Sequence, residues 1–263
     1  MRSQAMPRPI NILLVRHAVS AANLDRSLYQ RLPDPKVPLA PQGHEQARSA
    51  GEAIAAWLKT QEPGGTRIYC SPYQRTRETC VGIEAALKAN DVAYDRIEEL
   101  ALREMSYGLF DGIADDELPK LFPREHAHYQ KHVEFEGEFF APMPLGESRV
   151  QVADRVKGVF GTIIRDNRER ENGWRIRNFI IVSHGVTVRA FIQQWLHLTP
   201  EWFQAQANPA NASVALISSD GVEPYRLSMV FEGFPHRPTK QDIREEGVVQ
   251  PAADTAVVAG EPG

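Results

Sequence analysis

Three short segments carry residue types able to do chemistry on an anion. Arg16-His17 follows directly on an apolar run at residues 10–15, Ser71-Pro-Tyr-Gln-Arg75-Thr follows a second run ending at Cys70, and Ser183-His184-Gly185-Val-Thr187 follows a third at residues 179–182. A neutral imidazole on the stiff mount of a strand end is a competent nucleophile toward phosphorus. A guanidinium beside it offers a planar fork of donors that matches phosphate oxygens. His184 precedes a helix whose free N–H groups and positive dipole end suit an anion, and Gly185 lets the backbone come close to a ligand. Taken singly, each has an ordinary account. His17 reads as a hydrogen-bonded residue closing a strand, Arg75 as a surface arginine paired with Glu78, and His184 as structural. Arg77 is expected to face solvent. A histidine at the equivalent junction of two strands weighs against the ordinary accounts taken together.

The elements that must position these residues are legible in the apolar pattern. Residues 10–15 (INILLV), 67–70 and 179–182 read as short buried strands, and 92–97 as a further strand. Pro41-Gln-Gly43 opens a helical pattern through Ala47, Ala50, Ile54 and Trp57/Leu58, which Pro63-Gly-Gly65 stops. Residues 73–89 read as helical, as do 147–168, where Ala153, Val156, Phe160 and Ile163/Ile164 recur at helical spacing. A helix to about Leu196 follows His184. Residues 213–218 and 225–231 flank Asp220-Gly221, a hairpin with more than two loop residues. Strands alternating with helices predict an α/β fold, a three-layer α/β/α sandwich with a mostly parallel central sheet and an antiparallel edge. In such sheets, sites form beyond the carboxyl ends of the strands, where Arg16-His17, Ser71 to Arg75 and Ser183-His184 all fall.

Composition narrows the classes. The chain has 263 residues, 30 Lys+Arg against 34 Asp+Glu, 42% hydrophobic and 24% charged residues. The formal charge of -4 argues against a nucleic-acid partner, which draws a basic excess. No apolar run approaches the ~18 residues of a membrane span, and residues 1–9 lead into no signal-peptide core. A cytoplasmic protein with no membrane partner is the expectation. Cys70 and Cys80 are too few for a disulfide scaffold and match no zinc spacing, so two reduced thiols near the core are expected. One domain is read over residues 9–234, with residues 1–8 and 235–263 as flexible termini and one short helix at 242–246 within the tail.

Together the motifs resemble those of the histidine phosphatase superfamily, the phosphoglycerate mutase-like family. Leu14-Val-Arg16-His17-Ala-Val-Ser20-Ala-Ala-Asn23 is similar to its signature, Ser71-Pro-Tyr-Gln-Arg75-Thr to its second arginine motif, and Val182-Ser-His-Gly-Val-Thr-Val-Arg189 to its second histidine motif. Leu102-Arg-Glu104-Met-Ser-Tyr107-Gly108 resembles the segment that supplies the acid, and Pro144-Leu-Gly146-Glu147-Ser148 the stretch before its long helix. The motifs stand in the family's order across roughly residues 10–232. The resemblance implies the phosphoglycerate mutase-like fold and a phosphatase acting on a small phosphorylated substrate. His17 would be the nucleophile, Arg16, Arg75 and His184 would bind the phosphoryl oxygens, and Glu104 would be the proton donor. Asn23, Ser20, Tyr107 and Gly185 would contact substrate. No metal or other cofactor is implied, and the chain holds no spacing such as His-Glu-x-x-His. By spacing alone, Glu104 reads first as a surface carboxylate paired with Arg103, and only the resemblance reverses that order.

Two departures stand out. The family usually has Gly after the nucleophilic histidine, where this chain has Ala18. Many relatives carry a Trp-Glu-Gly-like triplet where this chain has Phe110-Asp111-Gly112. Residues 109–146 form a substrate-shaping insert with Arg124, His126, His128, Lys131, His132, Phe135, Phe139 and Phe140. They read either as a lid contacting the leaving group or as a helical insert with a solvated face and a small satellite core. Mutases of the family carry adjacent arginines there, and this insert has none, so a phosphatase is expected ahead of a phosphoglycerate mutase. A catalytically dead phospholigand-binding protein ranks third. The stretch from Ser27 to Pro35 resembles that of fungal and plant broad-range phosphatases, which brings Tyr29 and Arg31 toward the site, although an Arg31–Asp34 pair is an equal account. The oligomeric state has no signature in the sequence.

Overall fold

A computed structural model describes residues 8–171 and 173–235. The expected loose ends and the helix at 242–246 lie outside the described residues, apart from residues 8 and 235 themselves. In chain order the elements are β1 (Pro9–Arg16), α1 (Ala21–Leu24), α2 (Pro41–Leu58), β2 (Gly65–Cys70), α3 (Gln74–Ala89), β3 (Tyr94–Glu98), α4 (Leu118–Leu121), α5 (Pro123–Glu136), α6 (Arg149–Asp166), β4 (Ile176–Ser183), α7 (Gly185–Trp195), α8 (Pro200–Ala205), β5 (Val214–Asp220) and β6 (Arg226–Phe231).

The sheet order is β3-β2-β4-β1-β5-β6. The first four of these run parallel, and β5 and β6 add an antiparallel edge. The apolar runs are nearly unbroken because both faces of the sheet are covered. Successive strand residues point to opposite faces. Ile12, Leu14, Phe179 and Ile181 pack with α6 and α7 residues such as Val156, Ile163, Val188 and Phe191. Leu13, Val15, Ile180 and Val182 pack with Ala47, Ala50 and Ile54 of α2 and Ile83 and Leu87 of α3. The mostly parallel α/β architecture read from the pattern is the one observed.

Register does the positioning. Arg16 lies opposite Ser183 in the β1–β4 ladder, and Cys70 lies opposite Val182 in the β2–β4 ladder. The ladders continue one step further, with His17 N–H donating to the Ser183 carbonyl at 2.9 Å and Ser71 N–H to the Val182 carbonyl at 3.0 Å. Three strands therefore end at one level, and the residues that follow them stand side by side.

Several boundaries differ from the sequence reading for physical reasons. The third strand begins at Tyr94, because Asp91 turns the chain at φ 56° and the Val92 N–H folds back onto the Leu87 carbonyl at 3.0 Å. Helix α6 starts at Arg149, two residues late, since Ser148 and Gln151 cap it reciprocally. The insert holds α4 and α5, and its aromatic residues form no separate satellite. Phe110, Tyr129 and Phe139 join the main core on the α6–α7 side, while Phe135 stays 91% exposed.

Helices α2 and α3 meet with almost no space between them. A β-carbon at Gly51 would lie 2.7 Å from Ile83 Cα, and one at Gly82 would lie 2.7 Å from Ala47 Cβ. Overpacking such a contact costs about 1–3 kcal/mol. Gly82→Leu is therefore expected to lower unfolding stability by that amount, read as a reduced denaturant midpoint. An unchanged midpoint would contradict the close packing.

Candidate active site

At the end of β1, His17 is held by its own loop. Its Nδ1 lies 2.8 Å from the Ala18 carbonyl. A carbonyl can only accept, so the neutral ring carries its proton on Nδ1 and keeps the Nε2 lone pair. Ala18 avoids positive φ, so alanine is comfortable where the family usually has glycine. Its N–H donates to Thr79 Oγ1 at 3.1 Å, and the Thr79 hydroxyl donates to the Arg75 carbonyl at 2.7 Å. That relay ties the His17 loop to the first turn of α3, where Arg75 sits. Arg16 is buried and anchored by Nη1 on the Pro209 carbonyl.

His184 is fully buried just before α7. Its Nε2 lies 2.8 Å from Ser71 Oγ, and its Nδ1 has no hydrogen-bond partner. The His17 and His184 rings are 5.3 Å apart, and the Tyr73 ring stands 5.0 Å from His184 on the other side. Burial, and then the positive charges of Arg75, Arg155 and Arg16, push the His184 pKa well below the usual imidazole range. It is therefore held neutral.

Glu104 reaches the same space from the segment after β3. Its Oε1 accepts from the Met105 N–H at 2.9 Å and lies 3.2 Å from Thr187 Oγ1. Burial raises its pKa, with the Met105 N–H and then Arg75 opposing the rise. The segment is pinned to the strand ends. Ser183 Oγ donates to the Leu102 carbonyl at 2.7 Å, Thr187 Oγ1 to the Arg103 carbonyl at 2.8 Å, and Arg155 Nη2 to the Glu104 carbonyl at 3.1 Å. Glu147 binds both Arg103, at 2.6 Å, and Arg155, at 2.9 Å. The sequence reading gave no role to Arg155, Ser183 or Thr187 and read Glu147 only as part of a motif. Each acts across a long sequence separation. The expected alternative partners are also corrected. Arg103 pairs with Glu147 and leaves Glu104 unpaired by it, Arg75 pairs with Asp34 in place of Glu78, and Arg77 pairs with Glu98 at an exposed edge.

The residues expected around substrate divide. Tyr107 lies close behind Glu104, its pKa raised by burial and then by the Glu104 charge. Tyr29 is at the mouth, packed on the backbone at Gly112. Burial pushes its hydroxyl up to about 12, with Arg75, Asp34 and Asp111 all within its field. Ser20 is fully buried, and its hydroxyl caps α1 by accepting from the Asn23 N–H at 3.2 Å. Asn23 Oδ1 is engaged in return by Ser20 N–H at 2.9 Å. Asn23 also lines a cleft of about 270 Å³ with Val19, Leu24, Gln42, Gln46, Asn211 and Pro235, which none of the five central groups lines. Gly185 makes room for Asn208, whose Oδ1 would lie 2.6 Å from an added β-carbon, so a protein side chain takes the close approach expected of a ligand. Arg31 is 64% exposed and pairs with Asp25 at 3.2 Å, neither with Asp34 nor with the central groups. In the insert, His132 pairs with Glu136, and the His128 and His132 rings stack edge-on 4.6 Å apart.

An α/β sheet whose strand ends bring together two histidines, two buried arginines and a half-buried carboxyl defines a phosphoglycerate mutase-like fold. Residues 12–230 match the histidine phosphatase superfamily (branch 1), and the chain belongs to that superfamily. It is 34% identical over 212 residues to a phosphoglycerate mutase-like protein of Arabidopsis thaliana, covering 77% of this chain and 72% of that one. It is 23% identical over 288 residues to a broad-range acid phosphatase of Saccharomyces cerevisiae, covering 81% and 86%. A solved mycobacterial glucosyl-3-phosphoglycerate phosphatase superposes with a TM-score of 0.61 at 19% identity, covering 86% and 100%.

Asp111 at the mouth is exposed, and partial desolvation of its carboxyl and then the Asp34 charge push its pKa up to about 6, a shift that solvent screening reduces. Folded Asp111 holds its proton to higher pH than the unfolded chain does. Its contribution to stability is present below about pH 3.9 and is lost as pH rises through about 6. Asp111→Asn is expected to raise the thermal midpoint relative to wild type at pH 8 and to leave it nearly unchanged at pH 4. Equal shifts at both pH values would contradict the assignment.

Proposed function

We propose that the protein is a phosphoric monoester hydrolase that works through a phosphohistidine on His17. The observation that carries this reading is the approach of the His17 and His184 rings to 5.3 Å, with Arg16, Arg75 and Glu104 around them. The Nε2 lone pair of His17 attacks phosphorus, and the bond from phosphorus to the leaving oxygen breaks. Glu104, protonated, gives its proton to that oxygen. Ionised Glu104 then takes a proton from water as the water oxygen attacks phosphorus. The phosphorus–nitrogen bond breaks, and inorganic phosphate leaves.

Phosphoryl transfer is mostly positioning and charge stabilisation. Arg16 and Arg75 supply fixed positive charge. Burial and nearby arginines hold His184 neutral, and an arriving dianion favours its protonation, which makes it a donor to a phosphoryl oxygen. Two guanidiniums and this histidine fill the role that a metal fills elsewhere, and a metal-independent reaction is part of the proposal. The raised pKa of Glu104 suits a group that must hold a proton in one step and accept one in the next.

Hydrolysis is favoured over mutase chemistry by what flanks the leaving group. Residues 109–146 contain no adjacent arginine pair to keep a second anionic group in place for return transfer, and the mouth carries Asp111 instead. The substrate is a small phosphate ester. Among the described residues no helix is long and apolar enough to cross a membrane. The buried, unpaired Cys70 and Cys80 suit a reducing compartment, and the cytoplasm is the proposed location.

His17→Ala is expected to abolish acid-labile labelling by a radiolabelled aryl phosphate while the circular dichroism spectrum is retained. Persistent labelling would remove His17 as nucleophile. Glu104→Gln is expected to slow turnover by ~10²–10⁴-fold with phosphate binding kept. In wild type the rate falls as pH rises through the Glu104 pKa, and the variant loses that alkaline limb. Isomerised phosphoglycerate without released phosphate would favour a mutase.

A further inference from the structure

The guanidinium of Arg75 has two usable edges, and only one is filled. At its tip, Nη1 donates to Asp34 Oδ1 at 2.6 Å and to the Asp34 carbonyl at 2.8 Å, while Nη2 donates to Asp34 Oδ2 at 3.3 Å. Along its side, Nε is buried and has no hydrogen-bond partner. Arg75 is only 2% exposed, so water does not compensate that donor. A buried charged donor left unmade is costly and marks a place where a partner is expected. The Tyr73 ring lies 5.1 Å from Arg75 Cζ and covers one face of the guanidinium plane.

Asp34 is itself on a stiff mount. It opens a short 3₁₀ turn, Asp34–Lys36, between Pro33 and Pro35, and the Val37 N–H closes that turn onto the Asp34 carbonyl at 3.2 Å. Fixed proline φ values on both sides restrict the chain. Backbone and carboxylate of one residue thus hold the arginine tip at three points. A carboxylate posing as a substitute phosphate would be expected to take up the free Nε edge. This one grips the opposite end.

We propose that Asp34 is a positioning residue, clamping the tip of Arg75 so that the Nε edge is aimed at the phosphoryl group of the substrate. The identity of the anion rests on the phosphohistidine reading above. The clamp explains how a long, rotamer-rich side chain keeps one orientation before substrate arrives, which removes an ordering cost from binding. Lysine cannot replace Arg75 in this scheme, because a point charge cannot be held at one end and present a second edge at the other.

The test measures inorganic phosphate binding by calorimetry, with KM and kcat on an aryl phosphate, in Asp34→Ala, Asp34→Asn, Arg75→Ala and the Asp34→Ala/Arg75→Ala double variant. Asp34→Ala is expected to weaken phosphate binding and raise KM about tenfold, the effect of one charge-assisted hydrogen bond, with a smaller change in kcat. Asp34→Asn keeps an acceptor and is expected to lose less, and it carries the test if the alanine variant does not fold. In the Arg75→Ala background, removing Asp34 is expected to cause no further weakening. Tighter phosphate binding in Asp34→Ala would make Asp34 a competitor and overturn the proposal. So would the same tenfold loss in the absence of Arg75, which would mean general damage. A wild-type protein that binds no phosphate overturns the clamp and the enzymatic reading together. One that binds phosphate without turnover, with the Asp34 effects as expected, overturns the enzymatic reading alone.

Discussion

The common level at which three parallel strands stop is the constraint on which the site depends. Strands β1, β4 and β2 are neighbours in the sheet, and their ladders end with Arg16 opposite Ser183 and Cys70 opposite Val182. A one-residue slip in either pairing would turn a strand's core side chains to the other face. It would also carry a histidine or the Ser71 turn out of the cluster. The apolar runs that look like simple core therefore act as a gauge. Their burial on both faces holds the register, and the register places chemistry from residues 17, 71 and 184 within a few ångströms.

Electrostatics adds the second layer. Arg16, Arg75 and Arg155 all act on a buried His184 and depress its pKa, while burial lifts that of Glu104. Both groups are thereby kept uncharged more readily than they would be in water. Low-dielectric surroundings make each later charge count for more. On the reading proposed above, fixed cations would wait beside groups whose charge changes as phosphate comes and goes, which is how a preorganised site stabilises developing charge without rearranging.

Much of this is legible in the amino-acid sequence. The strands at 10–15, 67–70 and 179–182 announce themselves as short apolar runs, and the polar residues that follow them mark the site. The hidden part is held by partners far apart in the chain. Asp34 meets Arg75 across 41 residues, and Glu147 meets Arg103 across 44. No local spacing codes for such pairs. Arg31 shows the converse. Its neighbours offered two carboxylates, Asp25 and Asp34, and the proline-flanked turn at Asp34 turned that acid inward, leaving Asp25 for Arg31. Ser20 and Asn23 show a third case, in which a motif that resembles a ligand-binding signature also satisfies the start of a helix.

The insert over the mouth shares its interior with the rest of the molecule, because Phe110, Tyr129 and Phe139 sit in the same apolar cluster as the α6 and α7 residues. Swinging it away as a unit would expose aromatic surface to water, at about 25 cal/mol for each Å² uncovered. It behaves as masonry and not as a hinged cover. On the phosphohydrolase reading proposed above, an ester would have to pass between fixed side chains, and the insert would select it by size.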